Sequence, residues 1–267
     1  NLGMNILTAA PYYLQVTTVL LLGLTLGSFV NVCIYRLPKN ESIITPRSHC
    51  QSCNKNIPIW DNIPVLSYLI LKGKCRQCDT SISIIYPIVE VSAALLLLAG
   101  FIKFGVSIKL TILCVIGPTL LTISIIDIKH KIIPDTIILP GIIFGLVAGS
   151  YLFGLKESLV GLISGGGIFL LVSEVYYRVR GRVGMGGGDI KFIAAVGALL
   201  GTKNVFLIIF LSALMGSVVG LIGLVVKKMN ATSQIPFGPF LAAGTLIVYF
   251  SGEDIIKTYI ASIVGGY

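Results

Sequence analysis

"LQVTTVLLLGLTLGSFVNVCIY", residues 14 to 35, runs for 22 positions without a charged side chain. Crossing the hydrocarbon core of a bilayer takes roughly 20 consecutive apolar residues in a helix, and this run supplies them. The rest of the chain has the same character, with a mean hydropathy of +0.94, 55% hydrophobic and only 12% charged residues. Soluble domains approach about a quarter charged, so a water-soluble globule is excluded. Further uncharged runs occupy 110–126, 136–155 and 204–226, while 82–102 is interrupted only by Glu90 and 159–177 only by Glu174. Two shorter apolar stretches, 192–202 and 239–251, complete a count of eight. The expected fold is an all-α polytopic membrane protein of about eight transmembrane helices.

The basic residues test that threading, because Lys and Arg concentrate in cytoplasmic loops. With eight spans, one set of loops holds fifteen of the 20 Lys and Arg and the other holds five. The asymmetry puts the richer loops in the cytoplasm and both termini outside. Orientation and attraction to anionic lipid headgroups then account for the net charge of +9, with no nucleic-acid partner required. The first apolar run continues into basic residues without a small-residue cleavage site, which does not read as a cleavable signal peptide.

The one long hydrophilic stretch, 36–81, carries "CQSC" at 50–53 and "CRQC" at 75–78. Two CxxC turns bring four thiolates to one metal, and the charge count puts them in a reducing compartment where structural disulfides are rare. The expectation is a structural Zn²⁺ site of Cys50, Cys53, Cys75 and Cys78, closed to substrate, that folds a lobe too small to hold itself together. His49 reads as a surface neighbour, and Cys33 and Cys114 as core thiols. Expected domains are thus 1–35, a first transmembrane helix; 36–81, a cytoplasmic zinc-binding domain; and 82–267, a membrane-embedded catalytic domain.

Ionisable residues in or beside membrane spans are costly, so the few that occur mark function. Asp127 ends one apolar run in "TISIIDIKHKIIPD", and Asp189 opens another in "GMGGGDIKF", both at the cytoplasmic face of this topology. Two carboxylates brought close share protons, which suits water-activated peptide hydrolysis. Gly186, Gly187 and Gly188 let the backbone approach an extended substrate strand and offer free N–H groups. Asp135, after Ile133-Pro134, reads as a helix N-cap. Glu90 requires a partner or a watery cavity, and spacing leaves its role open. The chemistry-bearing residues also suit a proton-coupled transporter with a structural zinc domain, but transport sites favour the midplane between repeated halves, and no repeat is visible. A scaffold, which would tolerate loss of both aspartates, is a third class.

"GSFVNVCIYRLP", "DNIPVLSYLILKGKCRQC" behind the first CxxC, "ISIIYPIVE", "IDIKHKIIPD" and "GMGGGDIKF" occur in the order found in the bacterial type IV prepilin leader peptidases, which this chain resembles. The last also fits the GxGD pattern of signal peptide peptidases and presenilins. The resemblance implies an aspartic endopeptidase of the bacterial inner membrane that removes the leader of type IV prepilins or type II secretion pseudopilins. It also implies N-methylation of the new terminus, usually phenylalanine, with S-adenosylmethionine as methyl donor. Its catalytic pair maps onto Asp127 and Asp189, and its zinc ligands onto the four cysteines. No glycine-rich loop after a strand marks a site for the methyl donor.

Overall fold

The computed structural model describes residues 10–182, 184–226 and 234–264. Among the described residues nine α-helices follow one another: α1 (Tyr12–Arg36), α2 (Leu66–Ile70), α3 (Ile85–Phe104), α4 (Ile108–His130), α5 (Asp135–Phe153), α6 (Leu155–Arg180), α7 (Gly187–Leu200), α8 (Thr202–Val225) and α9 (Gly238–Val264). Among the described residues β-structure is limited to two isolated bridges, both in the cysteine lobe. Seven of the helices, all but α2 and α7, are long and apolar enough to cross a membrane. Their outward faces carry large apolar side chains such as Leu21, Ile143, Phe210 and Ile222, as a lipid-facing surface does. The chain is therefore an all-α, multi-pass membrane protein.

The eighth apolar run, 192–202, is helical too, but α7 has only 14 residues. At 1.5 Å per residue it spans about 21 Å, short of a hydrocarbon core of about 30 Å. Its side chains from Phe192 to Leu200 are nearly all buried, so protein rather than lipid surrounds it.

Contacts divide the chain into two compact units, residues up to Thr122 and residues from Ile123 on. In the first, α1 lies along α3, with Gly23 and Gly27 against the backbone of Ala94 and Glu90. The cysteine lobe fills the connection between these helices. It is pinned to the end of α1 by Arg36, only 5% exposed, whose guanidinium donates to the carbonyls of Ser42, Pro46 and Arg47.

In the second unit α7 packs against both α5 and α6, and α9 packs on α8. The α6 contact is backbone on backbone, since a β-carbon on Gly161 would run into the carbonyl of Gly197 and one on Gly197 into the carbonyl of Gly161. Small residues allow such approach where lipid tails provide no hydrophobic drive to associate. Ser158, fully buried on α6, seals the seam by donating to the Ala198 carbonyl at 2.6 Å.

Gly167, on the same helix α6, has open space where a β-carbon would go. Gly161→Leu is thus expected to separate α6 from α7 and lower stability by about 1–3 kcal/mol or more, as overpacking does. Gly167→Ala is expected to leave thermal unfolding in detergent unchanged or raise it slightly.

Candidate functional site

The second unit gathers the two aspartates that the sequence singled out. Asp127 lies in the last turn of α4 and is only 6% exposed. A carboxylate at a helix C-terminus opposes the helix dipole, and Lys129 and His130 in the same turn offset it. The helix stops at Lys131, which adopts φ 55° and returns its N–H to the Asp127 carbonyl. Oδ2 of Asp127 accepts a 2.8 Å hydrogen bond from the backbone N–H of Gly238, 111 residues away.

Gly238 begins α9 and is buried. Any β-carbon there would sit 2.8 Å from Asp127 Oδ2 and 3.2 Å from its Cγ, so only glycine lets the N–H reach the carboxylate. Phe237 beside it is fixed by rings on either side, Phe169 at 6.1 Å and Phe240 at 6.3 Å between centroids. The sequence reading passed over this residue, although "QIPFGP" interrupts the apolar pattern with two prolines and a glycine.

Asp189 is the third residue of α7, whose N-cap is Gly186. It sits in the first turn, where the positive end of the helix favours a carboxylate. Its Oδ2 folds back to 3.3 Å from where a Gly186 β-carbon would be, the reach-back of a capping box. The loop before α5 lies against this turn, because a β-carbon on Gly188 would meet Ile133 Cβ at 3.0 Å. One turn of sequence further, Lys191 Nζ grips both Asp135 oxygens at 2.7 and 2.8 Å. These ties draw the end of α4, with Asp127, to the start of α7, with Asp189. Gly186 and Gly187 remain exposed beside them.

Asp135 is not the cap that the sequence implied. Pro134 occupies the N-cap position without a side-chain bond, and Asp135 is the first helical residue, its carboxylate spent on Lys191.

The four CxxC cysteines converge in the first unit, every Sγ within 4.8 Å of the others and Cys50 to Cys78 at 3.7 Å. A tetrahedral zinc site with Zn–S bonds of about 2.3 Å has sulfur edges of about 3.8 Å, so the group can hold that ion. The two turns repeat one design. Asn54 and Asp79 follow the second cysteines at φ 55° and 54°, and their N–H groups bond to the carbonyls of Cys50 and Cys75. The N–H groups of Cys50 and Cys75 in turn bond to Lys55 and Thr80, and the bridges His49 with Asn56 and Lys74 with Ser81 close each loop. Backbone N–H groups of Cys53 and Ser52 hold the Cys50 thiol below its ordinary value, and the Thr80 hydroxyl and N–H bring Cys78 down to about 6. Those two shifts favour thiolates, the form that binds metal, whereas at Cys53 the Lys55 N–H is outweighed by burial and by the Cys50 and Cys78 sulfurs, which push it up to about 11. His49 stays outside the cluster, its Nδ1 3.2 Å from the Arg47 carbonyl.

Glu90 sits on the sixth position of α3, nearer its start than its middle, and is only 7% exposed. Oε2 accepts the Val65 N–H at 2.7 Å. Val65 has φ 62° and ψ −50°, and the next N–H, of Leu66, bonds to the Pro64 carbonyl at 2.6 Å. This is a strained γ-turn on a β-branched residue.

Comparison with known proteins finds two family models along the chain. The bacterial peptidase A24 N-terminal domain matches residues 21–104, and the type IV leader peptidase family matches residues 114–221. A prepilin leader peptidase/N-methyltransferase of Pseudomonas putida is 35% identical, the match covering 91% of this chain and 92% of that protein. The Bacillus subtilis protein of the same name is 35% identical across 91% of this chain and 97% of its own length. That of Legionella pneumophila is also 35% identical, over 90% and 92%. No solved structure matches. With these relatives aligned along nine-tenths of its length, the chain belongs to the type IV leader peptidase family.

Proposed function

We propose that the chain is an aspartic endopeptidase that cuts the leader from type IV prepilins or type II secretion pseudopilins at the cytoplasmic face, and then N-methylates the exposed terminus. The observation that carries the peptidase half is the approach of the end of α4, which bears Asp127, to the first turn of α7, which bears Asp189, through the packing of Ile133 on Gly188. One of the pair takes a proton from water as it attacks the scissile carbonyl, and the other gives a proton to the departing amine. The roles belong to the dyad as a unit, because two interacting carboxylates release their protons as a pair. The Gly238 N–H fixes one oxygen of Asp127 and leaves the other for water. Gly186 and Gly187, exposed at the start of α7, offer backbone to the extended leader junction while the apolar part of the substrate stays in the bilayer.

Fifteen of the 20 basic residues fall on the loop set that contains both aspartates, which supports the cytoplasmic placement. The four-thiolate cluster binds Zn²⁺ structurally: with every position taken by sulfur there is none for substrate water. Cys50, Cys53, Cys75 and Cys78 hold the ion, and its binding energy folds residues 36–81, the proposed cytoplasmic domain between the first span and the membrane-embedded remainder. S-adenosylmethionine, named here through the methyltransferase activity in the relatives' names, supplies a methyl group on a cationic sulfur.

Cleavage of a prepilin by purified enzyme in detergent tests the dyad. Asp127→Asn and Asp189→Asn are each expected to lower the rate on the order of a thousandfold. Asp135→Asn is expected to stay within about threefold of the parent, because an exposed pair is worth at most about 1 kcal/mol. Full activity in either of the first two variants removes the mechanism. Gly238→Ala, which presses a methyl group into the Asp127 carboxylate, is expected to slow cleavage at least tenfold, about what a small misplacement of a catalytic group costs. For the metal, Cys78→Ser is expected to abolish zinc in elemental analysis and to open 36–81 to limited proteolysis. In the unaltered enzyme zinc is expected to leave in acid, at a pH below the value of about 6 at which the Cys78 thiol titrates without the metal, because protons then compete with the ion for the sulfurs.

A further inference from the structure

Within the first unit, α1, α3 and the cysteine lobe enclose a cavity of about 350 Å³, lined among others by Asn31, Tyr35, Asp61, Tyr68, Tyr86 and Glu90. That volume lies in the range of small-molecule sites, roughly 300–1,000 Å³. Lys55 contributes one cation to the lining, and the other charges around Glu90 are committed. Asp61 is held twice by the Arg76 guanidinium, at 2.7 and 2.8 Å, and the Arg36 guanidinium is spent on three backbone carbonyls. Glu90 has no ion-pair partner among the described residues; it takes the Val65 N–H on Oε2 and hydrogen bonds from the side chains of Ser28 and Asn31.

A buried carboxylate without an ion-pair partner, in a cavity that Tyr68 and Tyr86 also line, suits a positively charged guest, because aromatic faces attract cations; the Tyr35 face is already taken by Lys39 Nζ at 3.5 Å. The wall one turn before Glu90 on α3 is also fixed. Asn31, 7% exposed, donates to the Tyr86 carbonyl at 3.0 Å, and Gln51 donates to the Tyr86 hydroxyl at 3.0 Å, which sets that ring. The strained turn at Val65 is held by Glu90 itself, and such strain collects at ligand sites.

We infer that this cavity is the methyl-transfer site, and that Glu90 receives the substrate's new terminal ammonium and takes its proton. The inference rests on the proposal that the chain methylates the terminus it exposes. Both reactants suit the site, an α-ammonium at one end of the reaction and a methyl donor whose sulfur is positive. Glu90 removes one proton from the ammonium and frees the nitrogen lone pair. That pair forms the new N–C bond as the donor's C–S bond breaks, its electrons returning to sulfur as a neutral thioether. The product is an N-methylammonium, and Glu90 returns its proton to water.

Three readouts on the purified full-length chain in detergent test this: prepilin cleavage, methylation of a synthetic peptide beginning with a free phenylalanine, and calorimetric binding of S-adenosylhomocysteine. Glu90→Gln retains an oxygen for the Val65 N–H, so a merely structural role would survive it. The expected result is methylation lowered at least about a hundredfold, with cleavage, zinc content and S-adenosylhomocysteine affinity within about threefold of the parent. Ser28→Phe, which fills the cavity from α1 and removes the Ser28 hydroxyl from Glu90 while the carboxylate and its Val65 bond remain, is expected to abolish S-adenosylhomocysteine binding and methylation while cleavage persists. Undiminished methylation in Glu90→Gln, or unchanged S-adenosylhomocysteine binding in Ser28→Phe, overturns the assignment. If Glu90→Gln loses zinc, Ser28→Phe decides. An unaltered chain that cleaves but never methylates the peptide removes both the methyltransferase proposal and the site, whereas methylation that persists in Asp127→Asn separates this site from the peptidase dyad.

Discussion

A carboxylate buried among apolar helices must be met by hydrogen bonds, and this chain meets its buried acids with backbone N–H groups instead of cations. Asp127 takes the N–H of Gly238, Glu90 that of Val65 and Glu157 that of Thr202. The ion pairs lie elsewhere: Arg178 with Glu174 and Lys191 with Asp135 are exposed on both partners, and Arg76 with Asp61 belongs to the cysteine lobe. The difference matters chemically. A cation beside a carboxylate neutralises it and weakens it as a base, whereas neutral donors position it and leave its charge; at Asp127, with the Gly238 N–H on Oδ2, the second oxygen is left available as well.

That economy depends on backbone geometry brought in from far along the chain. Gly238 reaches Asp127 only because it has no side chain and because Phe237 is clamped between Phe169 and Phe240. Asp189 reaches the same region because α7 is short and is gripped by α5 and α6 through contacts that tolerate nothing larger than glycine at Gly161 and Gly197. A helix that spanned the bilayer would be oriented by lipid and interfacial anchors. This one is oriented by its neighbours, so the position of its first turn is set to the precision of packed protein.

Much of this was legible in the sequence, for identifiable reasons. Long uncharged runs announce helices because the bilayer leaves the backbone few other choices, and seven of them are helices of spanning length. The cysteine cluster was legible because a CxxC turn is local chemistry, and its four sulfurs do converge. Asp127 and Asp189 stood out as charges where charge is expensive. Gly238 was not legible, because its value lies in a bond across 111 residues that no periodicity encodes. Asp135 was misassigned by one position: Ile133-Pro134-Asp135 has cap chemistry, yet the proline takes the cap, and the carboxylate finds a lysine 56 residues away. Glu90 could be flagged but not explained, since its partner Val65 sits in a turn that a β-branched residue rarely adopts.

Residues 36–81 have little of their own to hold them together. They contain only a five-residue α-helix and two 3₁₀ turns, and many of their large apolar side chains, Ile44, Ile59, Trp60, Leu69 and Ile70 among them, are exposed. Such a segment buries too little apolar surface to offset the entropy of ordering it. What holds it is local and polar: two copies of one hydrogen-bonded cysteine turn, the Arg36 guanidinium at its root and the Asp61 pair with Arg76. A tetrahedral ion held by the four sulfurs would join the two turns and convert these separate local orders into one. The wall of the Glu90 cavity includes Cys50 and Cys75 themselves, so whatever orders the two turns also orders the space beside that carboxylate.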